Sequence, residues 1–192
     1  MLAAFKQLED PRNDYRLVIA GKPKGSERYW ASIQKAIRED LASSRVILKA
    51  EYIPDAETEL YFKAADVLVL PYRYIYQSGV LFLGHSFGLP VLAADVGSLK
   101  DEIVEGETGF VFKSNDPTDL ARVIQKYFAS DLYLNLKSRR QKIREHALQQ
   151  HSWDVVSHIT SEKYSDLLQL SPSTESVKSS PSRVLPKIKG VS

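Results

Sequence analysis

The sequence predicts an α/β protein in which a parallel sheet carries helices on both faces. Its apolar residues are concentrated in short runs that do not alternate with polar residues, which is typical of strands buried on both faces. Four such runs are 17–20, 46–48, 67–70 and 91–94, and a weaker fifth run is 109–112. Amphipathic helical patterns separate the runs, and strands that alternate with helices indicate βαβ units with parallel strands.

Start signals and apolar stripes define the predicted helices. Asp116 and Pro117 supply the cap and the first-turn proline of the clearest helix, whose apolar stripe covers 120–128. Ser26 is the predicted N-cap of an earlier helix, and Pro54-Asp55 begins another. Three further helices are predicted. The first includes Leu2–Phe5 and the second covers about 131–149. The third covers about 153–169, with Ser152 as its cap and an apolar side formed by Val156, Ile159, Tyr164, Leu167 and Leu168.

Composition excludes several classes of function. The chain has no cysteine, so it has no disulfide, no cysteine-ligated zinc site and no thiol nucleophile. Its net charge of +2 is too small for a nucleic-acid-binding surface. The apolar runs are far shorter than a membrane span, and the histidines lack the spacing of a metal site. We therefore expect a cytoplasmic protein without a metal, with peripheral contact to the inner membrane face as an open alternative.

The last part of the chain has a different composition. From about Ser171 onward, serine, proline and lysine predominate and no apolar stripe is available to close a core. We expect a folded domain over residues 1–170 and a disordered tail over residues 171–192. The basic residues of the tail are few and dispersed, as in a solvated linker, although contact with anionic lipid is a second interpretation.

Ligands of open parallel sheets bind beyond the carboxyl ends of the strands. The most informative of these ends follows the third strand, where Ser78 and Gly79 begin a helix. Uncovered N–H groups at a helix start favour an anion such as a diphosphate, to which Ser78 would add a hydroxyl donor and Gly79 close approach. The commoner role of such residues is structural, with Ser78 as cap and Gly79 packed. Two further features each have two interpretations. Arg73 faces either a phosphate or solvent. The segment 95–98 is either a loop near the sugar or an ordinary strand-to-helix turn.

Five collinear blocks of the sequence have the order and spacing of known motifs. They are YIPD at 52–55, AADVLVLPY at 64–72, FGLPVLAADVGS at 87–98, EIVEGETGFV at 102–111 and DPTDLA at 116–121. Respectively, they resemble the "GyvpdeeL" loop, the "adviflPs" strand, the "cGlPViatdvGg" stretch, the "e.v.dgetGllv" segment and the "dpeaLa" helix start of the family 4, or group 1, retaining glycosyltransferases. The resemblance runs from about Tyr15 to Leu168 and is specific for the C-terminal domain of that family.

The resemblance implies a GT-B architecture of two Rossmann-like domains with a cleft between them, of which this chain supplies the C-terminal one. In this family the C-terminal domain binds a nucleotide-activated sugar and the N-terminal domain mostly binds the acceptor. Anomeric configuration is usually retained and no divalent metal is usually required. The nucleotide sugar is a substrate, so no cofactor is expected. The expected partners are that donor and an acceptor-binding N-terminal domain, in cis or in trans.

The resemblance also assigns site residues by position. The segment around the predicted helix start would hold the donor diphosphate, two strand ends would border the nucleobase and ribose, and the loop after the fourth strand would lie near the sugar. The residues in that order are Gln77, Ser78, Gly79 and Val80 for the diphosphate, Tyr52, Ile53 and Tyr72 for the base and ribose, and Asp95 and Gly97 for the sugar-side loop.

The sequence departs from the family pattern in two places. Two family glutamates around the phosphate-binding helix correspond to Ile75 and Leu83, so recognition of ribose and sugar must differ, with Gln77 as one substitute. The family domain also opens with a strand and a Gly-Arg…Lys-Gly loop, whereas residues 2–5 match the helix after that loop. In the strand order 3-2-1-4-5-6 the first strand is central. We therefore expect an N-terminally incomplete domain that folds poorly and is inactive as an isolated chain.

Two alternatives to a transferase domain stay open on the sequence. The first is a non-catalytic nucleotide-binding or interaction module, or an inactive fragment, derived from such a domain. The second is an unrelated flavodoxin- or Rossmann-like nucleotide binder. That second alternative requires a glycine-rich first loop, which the sequence lacks.

Overall fold

The computed structural model describes residues 1–8, 15–40, 45–151 and 153–168. Its strands are β1 (Leu17–Ala20), β2 (Val46–Lys49), β3 (Leu68–Leu70), β4 (Val91–Ala94) and β5 (Gly109–Phe112). Its helices are α1 (Leu2–Lys6), α2 (Glu27–Asp40), α3 (Asp55–Ala64), α4 (Gly79–Ser86), α5 (Pro117–Phe128), α6 (Asp131–Leu134), α7 (Leu136–His151) and α8 (Trp153–Leu167). The strands coincide with the apolar runs to within one residue at each end, so the predicted α/β class is confirmed.

The pairing of the strands is parallel, as predicted for a sheet that lacks its usual first strand, and the strands form two groups. β1 pairs with β2, with Leu17 opposite Val46, and the second sheet has the order β3-β4-β5. A doubly wound sheet has the strand order 3-2-1-4-5-6, and the two observed groups correspond to positions 3-2 and 4-5-6 of that order. The division therefore falls where the family pattern has its first strand.

One apolar core joins the two sheets. Side chains from all five strands contact it, together with those of α1 and α5. β4 is buried along its whole length, and α5 turns its predicted stripe inward, with Leu120, Val123, Ile124 and Tyr127 buried. Full burial of one such side chain contributes about 1.5–3 kcal/mol. Side-chain packing therefore links the two sheets of the described chain.

The start of α5 follows its sequence signal. The Asp116 carboxylate accepts the N–H groups of Thr118 at 3.1 Å and Asp119 at 3.0 Å, and Pro117 occupies the first helical position. Asp119 in turn accepts the Lys113 N–H, which lowers the pKa of its carboxyl group, with a smaller contribution from Arg122. These bonds hold the loop after β5 against the helix.

Tyr127 stabilises the core through one buried hydrogen bond. Its hydroxyl donates to the Asp66 carbonyl at 2.7 Å, and its ring packs on those of Phe110 and Phe128. We expect Tyr127→Phe to lower the free energy of unfolding by about 1–2 kcal/mol in urea denaturation, because the Asp66 carbonyl loses its partner. Tyr133→Phe is the control, since the Tyr133 hydroxyl bonds no described residue. Equal losses in both variants would contradict this role.

Tyr127 also makes the free energy of unfolding depend on pH. Burial raises the pKa of Tyr127, so the folded state holds the phenol proton more tightly than the unfolded state. The stabilisation is therefore complete below the unfolded pKa of about 10 and decreases as the pH rises above it. The stability difference between wild type and Tyr127→Phe should narrow between about pH 9 and pH 11. Parallel stability curves would argue against a buried phenol.

Two arginines of α7 support the helices that lead to the carboxyl edge of the sheet. The Arg140 guanidinium donates to the Ala65 carbonyl at the end of α3 (2.6 Å), and that of Arg144 donates to the Phe87 carbonyl at the end of α4 (3.4 Å). The carboxyl end of a helix carries partial negative charge, which these cations offset. α7 thereby fixes the position of α4, whose opposite end faces the candidate site.

The late helices differ from their predictions. The predicted helix over 131–149 is divided into α6 and α7 at Asn135, whose backbone (φ −110°, ψ 21°) departs from the helical conformation. α8 lies in a second unit that begins at Trp153, and the described part of that unit holds no other element. The residues of its predicted apolar side are exposed, namely Val156, Ile159, Tyr164, Leu167 and Leu168.

Some predictions fall on parts of the chain that the structure does not describe. They are the cap Ser152 and the tail 171–192. Among the helices of the described ranges, none is both long enough and apolar enough to cross a bilayer.

Candidate functional site

α4 begins at Gly79, directly after Ser78, at the carboxyl edge of the β3-β4-β5 sheet. Ser78 has the extended backbone of an N-cap residue (φ −130°, ψ 112°), but its side chain does not cap the helix. Its hydroxyl lies 3.4 Å from the Tyr72 hydroxyl instead, and the residue is only 3% exposed. This contact joins the end of β3 to the start of α4, so the residues between them form a closed loop.

The first turn of α4 presents backbone N–H groups at its open end. The Leu81 N–H donates to the Ser78 carbonyl at 3.1 Å. Helix geometry directs the Gly79 and Val80 N–H groups out of the helix end, where there is no intrahelical acceptor. A Cβ atom at Gly79 would meet no atom within 4 Å, so the approach to these groups is open. Together with the positive end of the helix dipole, they suit an anion.

A hollow of about 650 Å³ opens between the loops that follow β3 and β4. Its lining residues are Arg73, Tyr74, Ile75, Tyr76, Val96 and Gly97. The N–H and the hydroxyl of Ser98 both donate to the Tyr76 carbonyl, at 2.9 and 3.0 Å. Gly97 has a φ of +56° and lies directly against the carbonyls of Ile75 and Tyr76, where only a residue without a Cβ fits. The two loops therefore form one continuous wall.

A second, more polar hollow of about 370 Å³ shares part of this wall. It is lined by Arg73, Tyr74, Asp95, Val96, Ser114 and Asn115. The Asp95 carboxylate accepts the Ser114 N–H at 2.6 Å, and the Ser114 hydroxyl donates to the Tyr72 carbonyl at 3.2 Å. These bonds tie the loop after β5 to the loops after β3 and β4. Three strand ends thus build one edge, with an aromatic hollow beside a polar one.

The structure brings most of the predicted site residues to this edge. Asp95 and Gly97 each line one hollow, and Ser78 and Gly79 form the start of α4. Gln77 and Val80 flank that start with exposed side chains. Tyr72 is half-buried, and its hydroxyl lies 3.4 Å from the Ser78 hydroxyl.

Two predicted residues lie elsewhere in the fold. Tyr52 and Ile53 follow β2, in the other sheet, and neither lines the two hollows. Tyr52 is 69% exposed. Their predicted place beside the nucleobase stays a prediction.

Sequence reasoning missed two aromatic residues of the larger hollow. Tyr74 and Tyr76 are 94% and 85% exposed, which is unusual for two neighbouring large aromatic side chains. The available signal was the run Tyr72-Arg73-Tyr74-Ile75-Tyr76, which has three tyrosines in five residues directly after a strand. Exposed aromatic rings next to a hollow offer flat faces for a ring-shaped ligand.

The two positions where the family has glutamates have different environments. Ile75 is half-buried and packs on a small apolar core with Leu70 and Leu81. Leu83 is 38% exposed on α4. The isoleucine packs its side chain against this apolar core, and neither Ile75 nor Leu83 has a side chain that can form a hydrogen bond.

One histidine of the described ranges is deeply buried. His85 is buried in α4 at 2% exposure, which agrees with a packing role. Within those ranges, no three histidine, aspartate or glutamate side chains come together as a group that could hold a metal ion.

The family profile described as Glycosyl transferases group 1 matches residues 1–150 of this chain. The D-inositol 3-phosphate glycosyltransferase of Streptomyces avermitilis is 33% identical over 174 residues, which cover 88% of this chain and 37% of the relative. The protein of the same name from Streptosporangium roseum is 31% identical over 127 residues, which cover 65% and 29%. The chain therefore spans about a third of the length of these curated relatives.

Solved structures share the fold. Sucrose-phosphate synthase of Thermosynechococcus elongatus aligns with a TM-score of 0.69 and 24% identity, covering 88% of this chain and 42% of that one. The Anabaena protein Alr3699/HepE, solved in complex with UDP, aligns with a TM-score of 0.72 and 17% identity, covering 86% and 44%. At these identities the likeness concerns the fold alone. With the profile match over most of its length, the chain belongs to the group 1 glycosyltransferases and has the fold of their C-terminal GT-B domain.

Proposed function

We propose that this chain binds the nucleotide-activated sugar donor of a group 1 glycosyltransferase. The observation that carries the proposal is the open N-terminal end of α4, where Gly79 leaves outward N–H groups accessible at the carboxyl edge of the sheet. A donor diphosphate is an anion of the kind that such a helix end stabilises. Gln77 and Val80 would flank it, and the buried Ser78–Tyr72 contact would keep the loop in place.

In this proposal the sugar occupies the larger hollow. Tyr74 and Tyr76 offer aromatic faces to the ring, and the Asp95 carboxylate at the neighbouring hollow is available for its hydroxyls. The nucleobase would lie toward Tyr52 and Ile53 at the end of β2. Ile75 and Leu83 cannot accept hydrogen bonds, so Gln77 and Asp95 would supply the polar contacts to ribose and sugar.

The comparisons suggest which compounds to try first. Alr3699/HepE was solved with UDP, so a uridine nucleotide is the first donor candidate. The curated relatives are named for D-inositol 3-phosphate, which makes an inositol phosphate the first acceptor candidate. The acceptor would bind a separate N-terminal domain, in cis or in trans, across the cleft from the two hollows. We place the reaction in the cytoplasm and expect it to need no metal ion or cofactor.

Titration with UDP, GDP and ADP tests the proposal. One of the three should give saturable heat in calorimetry and stabilise the chain against thermal unfolding. At a ligand concentration about 100 times Kd the stabilisation is about 2.7 kcal/mol, or a rise in Tm of about 5–10 °C for a chain of this size. The matching nucleoside is the control, since it lacks the diphosphate. A folded chain that binds none of the three diphosphates would refute the proposal.

A further inference from the structure

We propose that Arg73 binds the donor diphosphate and supplies the positive charge that the start of α4 lacks. This inference rests on the proposed function, because it assumes that the diphosphate lies at Gly79. A helix end is equivalent to about half an elementary charge, whereas a diphosphate carries more than one full negative charge. Neutral N–H groups therefore leave part of the ligand charge unbalanced, and a nearby cation would bind it more strongly.

Arg73 lies on the same edge of the sheet as the start of α4. It follows β3 by three positions and lines both hollows at the carboxyl edge. Its chain neighbour Tyr72 touches Ser78, the residue before Gly79, with the two hydroxyls 3.4 Å apart. The backbone of Arg73 is therefore one residue away from a contact with the N-cap of α4.

The guanidinium of Arg73 is available for a ligand. It is exposed and forms no hydrogen bond or ion pair with another residue of the described ranges. Other arginines of the fold are engaged, as Arg140 and Arg144 are with the ends of α3 and α4. A guanidinium at this place offers planar, two-pronged donation, which suits phosphate oxygens better than a point charge does.

Three lysines near the carboxyl ends of β2, β4 and β5 are less suited. Lys49 donates to the Glu57 carboxylate at 2.7 Å, and this bond raises the pKa of the lysine. The charge of Lys49 is therefore already paired with a carboxylate. Lys100 and Lys113 are exposed in the loops after β4 and β5, and neither lines the two hollows. Of the described cationic residues, only Arg73 belongs to the walls of these hollows.

The test compares Arg73→Gln, Arg73→Lys and Lys100→Gln with wild type by calorimetry. The ligands are UDP, UMP and uridine, with the guanosine or adenosine set used instead if GDP or ADP is the diphosphate that binds. We expect Arg73→Gln to weaken UDP binding about tenfold, UMP binding less, and uridine binding not at all. Arg73→Lys should recover part of the loss, because it keeps the charge. Lys100→Gln makes the same change in net charge outside the hollows and should cost less than about twofold.

The outcomes separate the inference from the proposed function. If wild type binds a diphosphate and Arg73→Gln binds it equally well, the role of Arg73 is refuted and the donor site stands. Equal weakening by Arg73→Gln and Lys100→Gln also refutes it, because net charge alone would explain the effect. If wild type binds none of the three diphosphates, the proposed function and this inference both fail. Unchanged thermal unfolding of the three variants confirms that the comparison concerns binding.

Discussion

Replacing Gly79 by aspartate should weaken nucleotide binding strongly and leave the chain folded. The new side chain has room, because a Cβ atom at Gly79 meets nothing within 4 Å. A carboxylate in the first turn is favourable to the helix itself, since it faces the positive end of the dipole. Its charge would lie next to the diphosphate and cost about 2–3 kcal/mol, or roughly 30- to 150-fold in Kd. Calorimetric titration with the diphosphate that binds wild type measures the loss.

The matched control for this variant is Gly79→Asn. Asparagine has nearly the size of aspartate and no charge, so the difference between the two variants isolates the electrostatic contribution. We expect Gly79→Asn to lose at most about tenfold in affinity, from crowding of the N–H groups. If both variants bind like wild type, the diphosphate does not lie at the start of α4. If both lose binding equally, close approach rather than charge decides affinity at this site.

Gly97→Ala should destabilise the chain by about 3 kcal/mol or more and disturb both hollows. The backbone of Gly97 is left-handed (φ +56°), which costs an alanine about 1–2 kcal/mol. The added Cβ would also overlap the Ile75 carbonyl and come within 2.5 Å of the Tyr76 carbonyl oxygen. These are backbone atoms that cannot turn away, so the loops after β3 and β4 must separate. Urea denaturation measures the loss of stability, and nucleotide affinity should fall with it.

Gly106→Ala separates the two causes of this effect. Gly106 also has a left-handed backbone (φ +78°), but a Cβ atom there meets nothing within 4 Å. The control should therefore lose only the conformational part, about 1–2 kcal/mol, and keep its nucleotide affinity. Equal losses of stability in the two variants would show that the wall between the loops tolerates a methyl group, and that the contact at Gly97 is not what holds the hollow together.

The fold was largely predictable because its signals are local. A strand buried on both faces must be continuously apolar, so the runs at 17–20 and 91–94 reveal β1 and β4 without any knowledge of their neighbours. Asp116-Pro117 places the start of α5 because the cap and the proline act within one helical turn. The break between α6 and α7 was not predicted, and it falls at Asn135, where the backbone departs from helical geometry.

The candidate site was predictable only in part. The order of strands in an α/β fold indicates the carboxyl edge, and the Ser78-Gly79 pair indicates where a helix begins there. The burial of Ser78 and its contact with Tyr72 depend on how the loop closes, which no local pattern reveals. The hollow that Tyr74 and Tyr76 line is completed by Val96 and Gly97 of the loop after β4, which lies about 20 positions further along the chain.

By itself the sequence determined the α/β class, the strand positions, the start of α4 and the family of this protein, because each depends on neighbouring residues or on the order of motifs along the chain. The tertiary structure decided the division into two sheets, the two hollows and the placement of Arg73 in both of their walls. These features arise where distant segments meet, as when Ser114 bonds the carbonyl of Tyr72, 42 positions earlier. Contacts between distant segments depend on the packing of the whole core, so short-range sequence patterns do not reveal them.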